Sequence, residues 1–327
     1  MRQWTRSHTD VRDLVDRLGP GPWTRSELID AGWSVEKVRA AEHAGRIVRL
    51  RRGHYAVAIV TPHERWRAAL RAAGSDAVLS HESAALLHGL WLPRRPPSGV
   101  QVTRSGGIER HHAGLRVHGS RLTAEHVTDV AGVPVTTIAR TAMDVARGCS
   151  LPEAMVVVDS AARAIMGTVL DEDLRVLRSF RRRAELTQVA TPALWAAFDS
   201  VRTWPGSVAA RGAVLLVEPA SESPYESLSR GWIHEANLPT PLVAYGVSGA
   251  SGAEYVADFG WEDRRLLAEV DGMSKYGATS EQVAVSLRAE RRREQDLRDA
   301  GWELVRWNSG DGRRVVLQRL KRALTDR

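Results

Sequence analysis

Cysteine is nearly missing from this chain: Cys149 is the single one in 327 residues. One thiol excludes an intramolecular disulfide and any multi-cysteine zinc centre, so packing alone must hold the fold, and a reducing, cytoplasmic setting is expected. Long apolar runs are missing too. With no stretch of about 18 apolar residues, no transmembrane helix and no membrane partner are expected. Residues Met1 to Asp10 mix Arg, Trp, His and Asp where a secretory leader would carry an apolar segment, so export is not expected. Nor does the chain carry an extreme charge. A formal +7 with a pI near 10.1 makes nucleic acid a plausible partner, but the excess is modest for this length. Lysine is scarce, and nearly all the positive charge is arginine. Guanidinium suits bidentate phosphate contacts, although a GC-rich genome gives the same bias without function.

With 43% hydrophobic residues the chain can bury real cores, and its length suggests two or three units. The charge is unevenly spread. Residues 1–65 carry 12 Lys and Arg against 8 Asp and Glu, whereas residues 221–327 carry 16 against 17. The N-terminal part is therefore basic for its size. The C-terminal part is balanced, as it would be if acids there were reserved for a metal.

Val11, Leu14, Val15 and Leu18 recur at helical spacing and predict a first helix. Thr24 with Glu27 makes a capping-box pattern ahead of LIDAG, and Gly32 is suited to stop that second helix. Ser34 then caps VEKVRAAEHAG, which places Val35, Val38 and Ala41 on one face and Lys37, Arg39 and His43 off it. RIVRLRRGHYAVA reads as a two-stranded ribbon turning at Gly53. Helix, turn, helix and basic ribbon predict a winged helix-turn-helix. Lys37 and Arg39 on its third helix, with Arg46, Arg49, Arg51 and Arg52 on the wing, are the expected contacts to double-stranded DNA. Glu36 and Glu42 on the same helix predict weak or selective binding. The alternative is a winged helix used for protein contacts, its arginines a solvated face.

Residues 61–200 are expected to form a mixed α/β middle. Thr61, Pro62 and Glu64 start a helix, SHESAALLHGLWLP predicts another, GVQVTRSGG and GLRVHGS predict a strand pair, and VTTIARTAMDVARG returns to helix. His81, His88, His111, His112 and His118 lack ligand spacing with a carboxylate, so hydrogen-bonded or core roles are expected rather than a metal. RSFRRRAELTQVATP, around residues 178–192, is expected to join helices at the surface.

From Ser223 the pattern predicts a helix, a three-stranded meander, a long helix, a fourth strand and a final helix. Asp258 falls in the second of these strands; Glu269 and Asp271 end the third. Alternation in a strand puts Glu269 and Asp271 on one side. Clustered carboxylates are costly unless they are paired or bind a hard cation, and Mg²⁺ prefers oxygen ligands. Asp258 and Glu269 are the expected Mg²⁺ ligands, with Asp271 or Lys275 to assist an attacking water. Solvated acids at a sheet rim are the alternative. Glu226, three residues after Ser223, fits a capping box as well as a catalytic role. Arg291, Arg292 and Arg293 are expected either at backbone phosphate or on plain helix surface.

SPYESLSR, YVADFGW, LLAEVDGMSKYG and RRREQDLRDAGWELVRW together resemble the very-short-patch-repair endonuclease-like domain of the PD-(D/E)XK superfamily, over roughly residues 221–311. The resemblance implies a Mg²⁺-dependent DNA endonuclease fold with Asp258 and Glu269 as ligands and Glu226 as a helix-borne acid. Where that pattern places a lysine two residues after the glutamate, this chain has Asp271, and Lys275 is the expected substitute. RSELIDAGWSVEKVRAAEHAGRIVRLRRGHYAV, followed by SHESAALLHGL and PVTTIARTAMDVA, is similar to AbiEi-family antitoxins of type IV toxin-antitoxin systems over about residues 8–150. That similarity implies DNA binding, operon autoregulation and a cognate toxin. The expected architecture is an α+β multidomain chain: a winged helix over residues 8–60, the mixed middle over 61–200 and a restriction-endonuclease-like core over 221–327. The expected function is DNA binding with a Mg²⁺-dependent endonuclease-like domain in defence or repair, or else a non-enzymatic regulator or antitoxin.

Overall fold

The computed structural model describes residues 11–19, 21–57, 61–112, 114–170, 174, 177, 180–271 and 280–325. The chain is α+β and divides into two compact units, Met1–Leu87 with Pro96–Thr137, and His88–Arg95 with Ile138–Arg327. The three-segment division expected above therefore falls differently. The strands of residues 61–200 and the helices up to Leu87 go with the N-terminal elements, and the helices from Ile138 on go with the C-terminal ones.

The first unit starts with helix α1 (residues 11–18), strand β1 (Trp23–Thr24), helix α2 (Arg25–Asp30) and helix α3 (Val35–His43). Strands β2 (Ile47–Arg51) and β3 (His54–Val57) follow as an antiparallel hairpin, and β1 adds to give the order β1-β3-β2. The local chemistry explains the breaks. Thr24 and Glu27 satisfy each other's backbone N–H at the start of α2, and Ser34 accepts from the Lys37 amide at the start of α3. Gly32 (φ +88°) and Gly53 (φ +77°) adopt left-handed backbone where the chain turns. Leu14, Trp23, Leu28, Trp33, Val38, Ala41, Ile47 and Tyr55 close one core between these elements. Each such side chain contributes about 1.5–3 kcal/mol on full burial.

Helix α4 (Pro62–Ala73) opens on Thr61 and Glu64 in a second capping box, with Pro62 in its first turn. Strand β4 (Ala77–Leu79), helix α5 (His81–Leu87) and strands β5 (Val100–Arg104), β6 (Arg110–His112), β7 (Leu115–Gly119), β8 (Val127–Val130) and β9 (Val133–Thr136) complete the unit. Their sheet has the order β6-β7-β5-β4-β9-β8 among the described residues. The strands expected from GVQVTRSGG and GLRVHGS do pair, but in parallel, because β6 intervenes and turns the chain back once more. Trp66, Leu70, Leu79, Val102, Leu115, Val117 and Val135 fill the core between the sheet and α4. Beside it lies a polar cluster. The rings of His81 and His118 stack 3.7 Å apart, His118 Nε2 lies 2.9 Å from Gln101 Oε1, and His81 Nδ1 lies 3.0 Å from Ser80 Oγ.

The second unit contains α6 (Ile138–Ala146), α7 (Leu151–Val169), α8 (Phe180–Asp199), α9 (Ser207–Leu215) and α10 (Pro224–Glu235). From Phe180 on, the segment expected to be a surface connection near 178–192 is helical and belongs to α8, which carries Pro192 inside it; residues 178 and 179 lie outside the described residues. Helix α7 is buried almost all round, at Pro152, from Ala154 to Ala162 and at Met166, as its apolar composition requires. It packs against α6, α8, α9 and α10. Gly231 of α10 lets that helix approach closely: a Cβ there would lie 2.5 Å from Pro152 Cα. The approach is fastened by a buried ion pair, Arg230 Nη2 donating to Asp159 Oδ2 at 2.7 Å and Oδ1 at 3.0 Å. Glu218 N also donates to Asp159 Oδ1, and Arg230 Nη1 to the Leu216 carbonyl.

Strands β10 (Leu242–Ser248), β11 (Glu254–Trp261) and β12 (Leu266–Asp271) form the expected meander; helix α11 (Ser280–Asp299) crosses to β13 (Glu303–Asn308), and α12 (Arg313–Thr325) ends the chain. The order is β10-β11-β12-β13, with β12 and β13 parallel, as a helical crossover permits. Trp307 lies on Phe259 with ring centres 5.9 Å apart and donates from Nε1 to Ser229 Oγ of α10. Leu267, Leu297 and Trp302 belong to the cluster between sheet and α11.

Candidate functional site

Two groups of side chains answer the sequence expectations. The first is on α3 and the β2–β3 hairpin. Arg39 and Arg52 are exposed, Lys37 is half-buried with its ammonium 4.8 Å from the centre of the Trp33 ring, and Arg46 is half-buried. Arg49 is exposed and Arg51 half-buried on β2, where the register shifts between the two. Five of the six expected cations therefore occupy one helix and one hairpin of the first unit, and Arg46 lies in the connection between them.

The second group is in the C-terminal sheet. Phe259 pairs with Ala268 across the antiparallel strands, so Asp258 and Glu269 come one step beyond, side by side on β11 and β12. Glu269 faces Arg306 on β13 in turn. Asp258 Oδ2 accepts from Val270 N at 2.7 Å. Glu226 stands in the first turn of α10, where Ser223 Oγ donates to its Oε1 and Glu222 N to its Oε2. Burial, then the nearby Asp258, pushes the Glu226 carboxyl up to about 7. Burial, reinforced by Glu269 and Glu222 and opposed by the Val270 amide, pushes Asp258 up to about 6. Glu269 is also raised by burial, against the pull of Arg293 and Arg306. Asp271 is exposed at the end of β12, and Lys275 lies outside the described residues.

Glu269 is held by cations. Arg293 Nη2 meets its Oε1 at 2.5 Å, and Arg306 Nη2 meets its Oε2 at 3.1 Å. Arg306 pairs with Glu290 as well, and Arg293 donates to the Val256 carbonyl. Both oxygens of Glu226, both of Glu269 and one of Asp258 thus have protein partners. Among the described residues no three His, Cys, Asp or Glu side chains are grouped to hold a metal ion. In this arrangement the carboxylates form an ion-pair and hydrogen-bond network.

Sequence reading placed Arg291, Arg292 and Arg293 together. The structure separates them: Arg291 and Arg292 are exposed, whereas Arg293 turns onto Glu269. Arg306 was missed. Its signal was a lone cation inside the strand ELVRWN, in register with Glu269.

Residues 76–191 match the family model of the AbiEi antitoxin C-terminal domain. The match begins just before β4 and ends within α8, so the matched segment contains the six-stranded sheet, the stacked histidines and the buried helix α7. Two curated relatives from Mycobacterium tuberculosis, one from strain CDC 1551 and one from strain H37Rv, each carry the name uncharacterized protein. Each is 28% identical over 235 residues, covering 71% of this chain and 74% of its own. A solved structure, the RV2827C protein of the same organism, aligns at 16% identity with a TM-score of 0.40, covering 75% of this chain and 88% of that one. No described helix is long and apolar enough to cross a membrane.

Proposed function

We propose that the protein is a DNA-binding regulator of the antitoxin type, in which α1, α2, α3 and the β2–β3 hairpin act as a winged helix-turn-helix. The match of residues 76–191 to the AbiEi antitoxin C-terminal domain carries this reading. The hairpin's exposed arginines add to it. Arg39 would meet DNA from α3 and Arg52 from the hairpin turn, with Lys37, Arg46, Arg49 and Arg51 adding positive charge around them. Glu36 beside them on α3 tempers the attraction. A toxin encoded with it is the protein partner that the antitoxin-type segment implies.

The test is fluorescence anisotropy of the full chain with duplex from its own promoter, repeated over a salt series. Binding should weaken steeply with salt, and Arg39→Gln or Arg52→Gln should each lower the log–log slope by about one. Co-expression with the neighbouring open reading frame reads the antitoxin half: growth arrest by that gene alone, relieved by this one, is expected. A salt-independent association, or no binding to any duplex, refutes the DNA-binding half.

A second reading has one observation in its favour. The order helix, three-stranded meander, crossover helix and parallel fourth strand, with Asp258 beside Glu269, is the arrangement expected of a PD-(D/E)XK nuclease core. The pairing of Glu269 with two arginines, and Asp271 where a lysine is expected, weigh against it. Supercoiled plasmid incubated with Mg²⁺ or Mn²⁺ separates the readings. Nicking that Asp258→Ala and Glu269→Gln both abolish, with each variant still folded, would make the core an enzyme.

A further inference from the structure

Arg49 and Arg51 of β2 and Arg65 of α4 line one cleft of about 620 Å³ within the first unit. Its apolar wall includes Val48, Leu50, Ala68 and Val100, and among the described residues no carboxylate lines it. None of the three guanidinium groups makes a hydrogen bond or an ion pair among the described residues. Elsewhere in this chain arginines beside cavities and cores are matched, as Arg230 is by Asp159 and Arg306 by Glu269 and Glu290. Arg51 is the informative one. It is half-buried, and burial lowers its affinity for its proton with no anion to compensate. Withdrawing a cation from water without a partner is costly, so an uncompensated one on a cleft wall is poised for an incoming anion. The local fold favours this placement. The register shift between Arg49 and Arg51 is a bulge-type irregularity on an edge strand, and such irregularities re-aim side chains.

We propose that this cleft binds a nucleotide, its phosphates on Arg49, Arg51 and Arg65 and its base against the apolar wall. The size fits: pockets for small ligands run from about 300 to 1,000 Å³. Three cations around one concavity match the charge of a di- or triphosphate better than that of a single backbone phosphate, and guanidinium forks match phosphate oxygens in pairs. The proposal shares Arg49 and Arg51 with the DNA-binding reading and adds Arg65 of α4, which is not part of the helix or turn that would enter a groove. The same phosphate chemistry could be presented by the end of a nucleic acid strand, and the test separates the two sources.

The experiment is titration calorimetry of the full chain with ATP, GTP, CTP and UTP, then with AMP, adenosine and orthophosphate. At least one triphosphate should bind, with adenosine and orthophosphate weaker by about tenfold or more. Arg51→Gln and Arg65→Gln should each weaken that nucleotide about tenfold while thermal unfolding stays unchanged. Three results would overturn the proposal. One is no heat with any nucleotide up to about 1 mM, the affinity floor of a useful site. Another is parental nucleotide binding by the Arg51→Gln, Arg65→Gln double variant. The third is loss of affinity for duplex or single-stranded DNA in Arg65→Gln, with no free nucleotide bound, which would assign the cleft to nucleic acid.

Discussion

Replacing Arg230 by Met tests how the C-terminal core is attached to the helices before it. Arg230 ties α10 to α7 through two hydrogen bonds to Asp159 and to the loop after α9 through the Leu216 carbonyl. The Asp159 side chain is fully buried, and Arg230 is 9% exposed. Methionine keeps much of the volume but leaves the carboxylate buried without its cation, a change worth about 3–5 kcal/mol. For a unit of this size that lowers the unfolding temperature by roughly 10 °C. Burial already raises the Asp159 pKa in the presence of Arg230, and removing the cation raises it further. A carboxyl raised in the folded state loses stability as pH climbs from the ordinary carboxylate range towards that raised value. The Arg230→Met defect should therefore be larger at pH 8 than at pH 5. Denaturant unfolding of the parent, both single variants and the Asp159→Leu, Arg230→Met pair completes a double-mutant cycle. The pair should recover part of the loss, keeping a cost of about 2 kcal/mol because the Leu216 carbonyl and the Glu218 amide lose their partners. A loss below about 1 kcal/mol in Arg230→Met, or a defect independent of pH, would refute the reasoning.

Glu226 at about 7 and Asp258 at about 6 are both raised, chiefly by burial, so the parent should lose stability as pH rises from about 4 to 7 and change little above. Glu226→Gln should flatten that decline by up to roughly 3 kcal/mol, read by denaturant unfolding at several pH values; a slope unaltered by the substitution would contradict the burial argument. Gly231→Ala gives a prediction of sign. Helix propensity favours alanine by about 1 kcal/mol, but the contact with Pro152 should make the change destabilising by about 1–3 kcal/mol in a thermal melt. Ser34→Ala removes the side chain that accepts from the Lys37 amide and should cost about 1 kcal/mol. It should also weaken promoter binding in the anisotropy assay if α3 enters the groove.

The local elements were legible because their signals are local. Thr24 with Glu27, Ser34, and Thr61 with Pro62 and Glu64 announce helix starts, and each cap forms as read. The C-terminal order of helix, meander, helix, strand and helix also followed from alternation and turn residues, and it placed Asp258 beside Glu269. Long-range pairing was less legible. Nothing local says that β5 and β7 run parallel, because that depends on β6 reversing the chain between them.

Charge partners were the least legible of all. Sequence composition determined that the chain must fold without disulfides, that its basic excess sits near the N-terminus and that three acids gather in one sheet. Only the tertiary structure decided what those charges do. Register across β12 and β13 sets Arg306 against Glu269, the pitch of α11 turns Arg293 inward while leaving its two neighbours outside, and the packing of α4 near β2 brings Arg65 to one cleft with Arg49 and Arg51. A side chain's charge is written in the sequence. The desolvation and partners that determine its use arise from residues far along the chain, which only folding brings within a few ångströms.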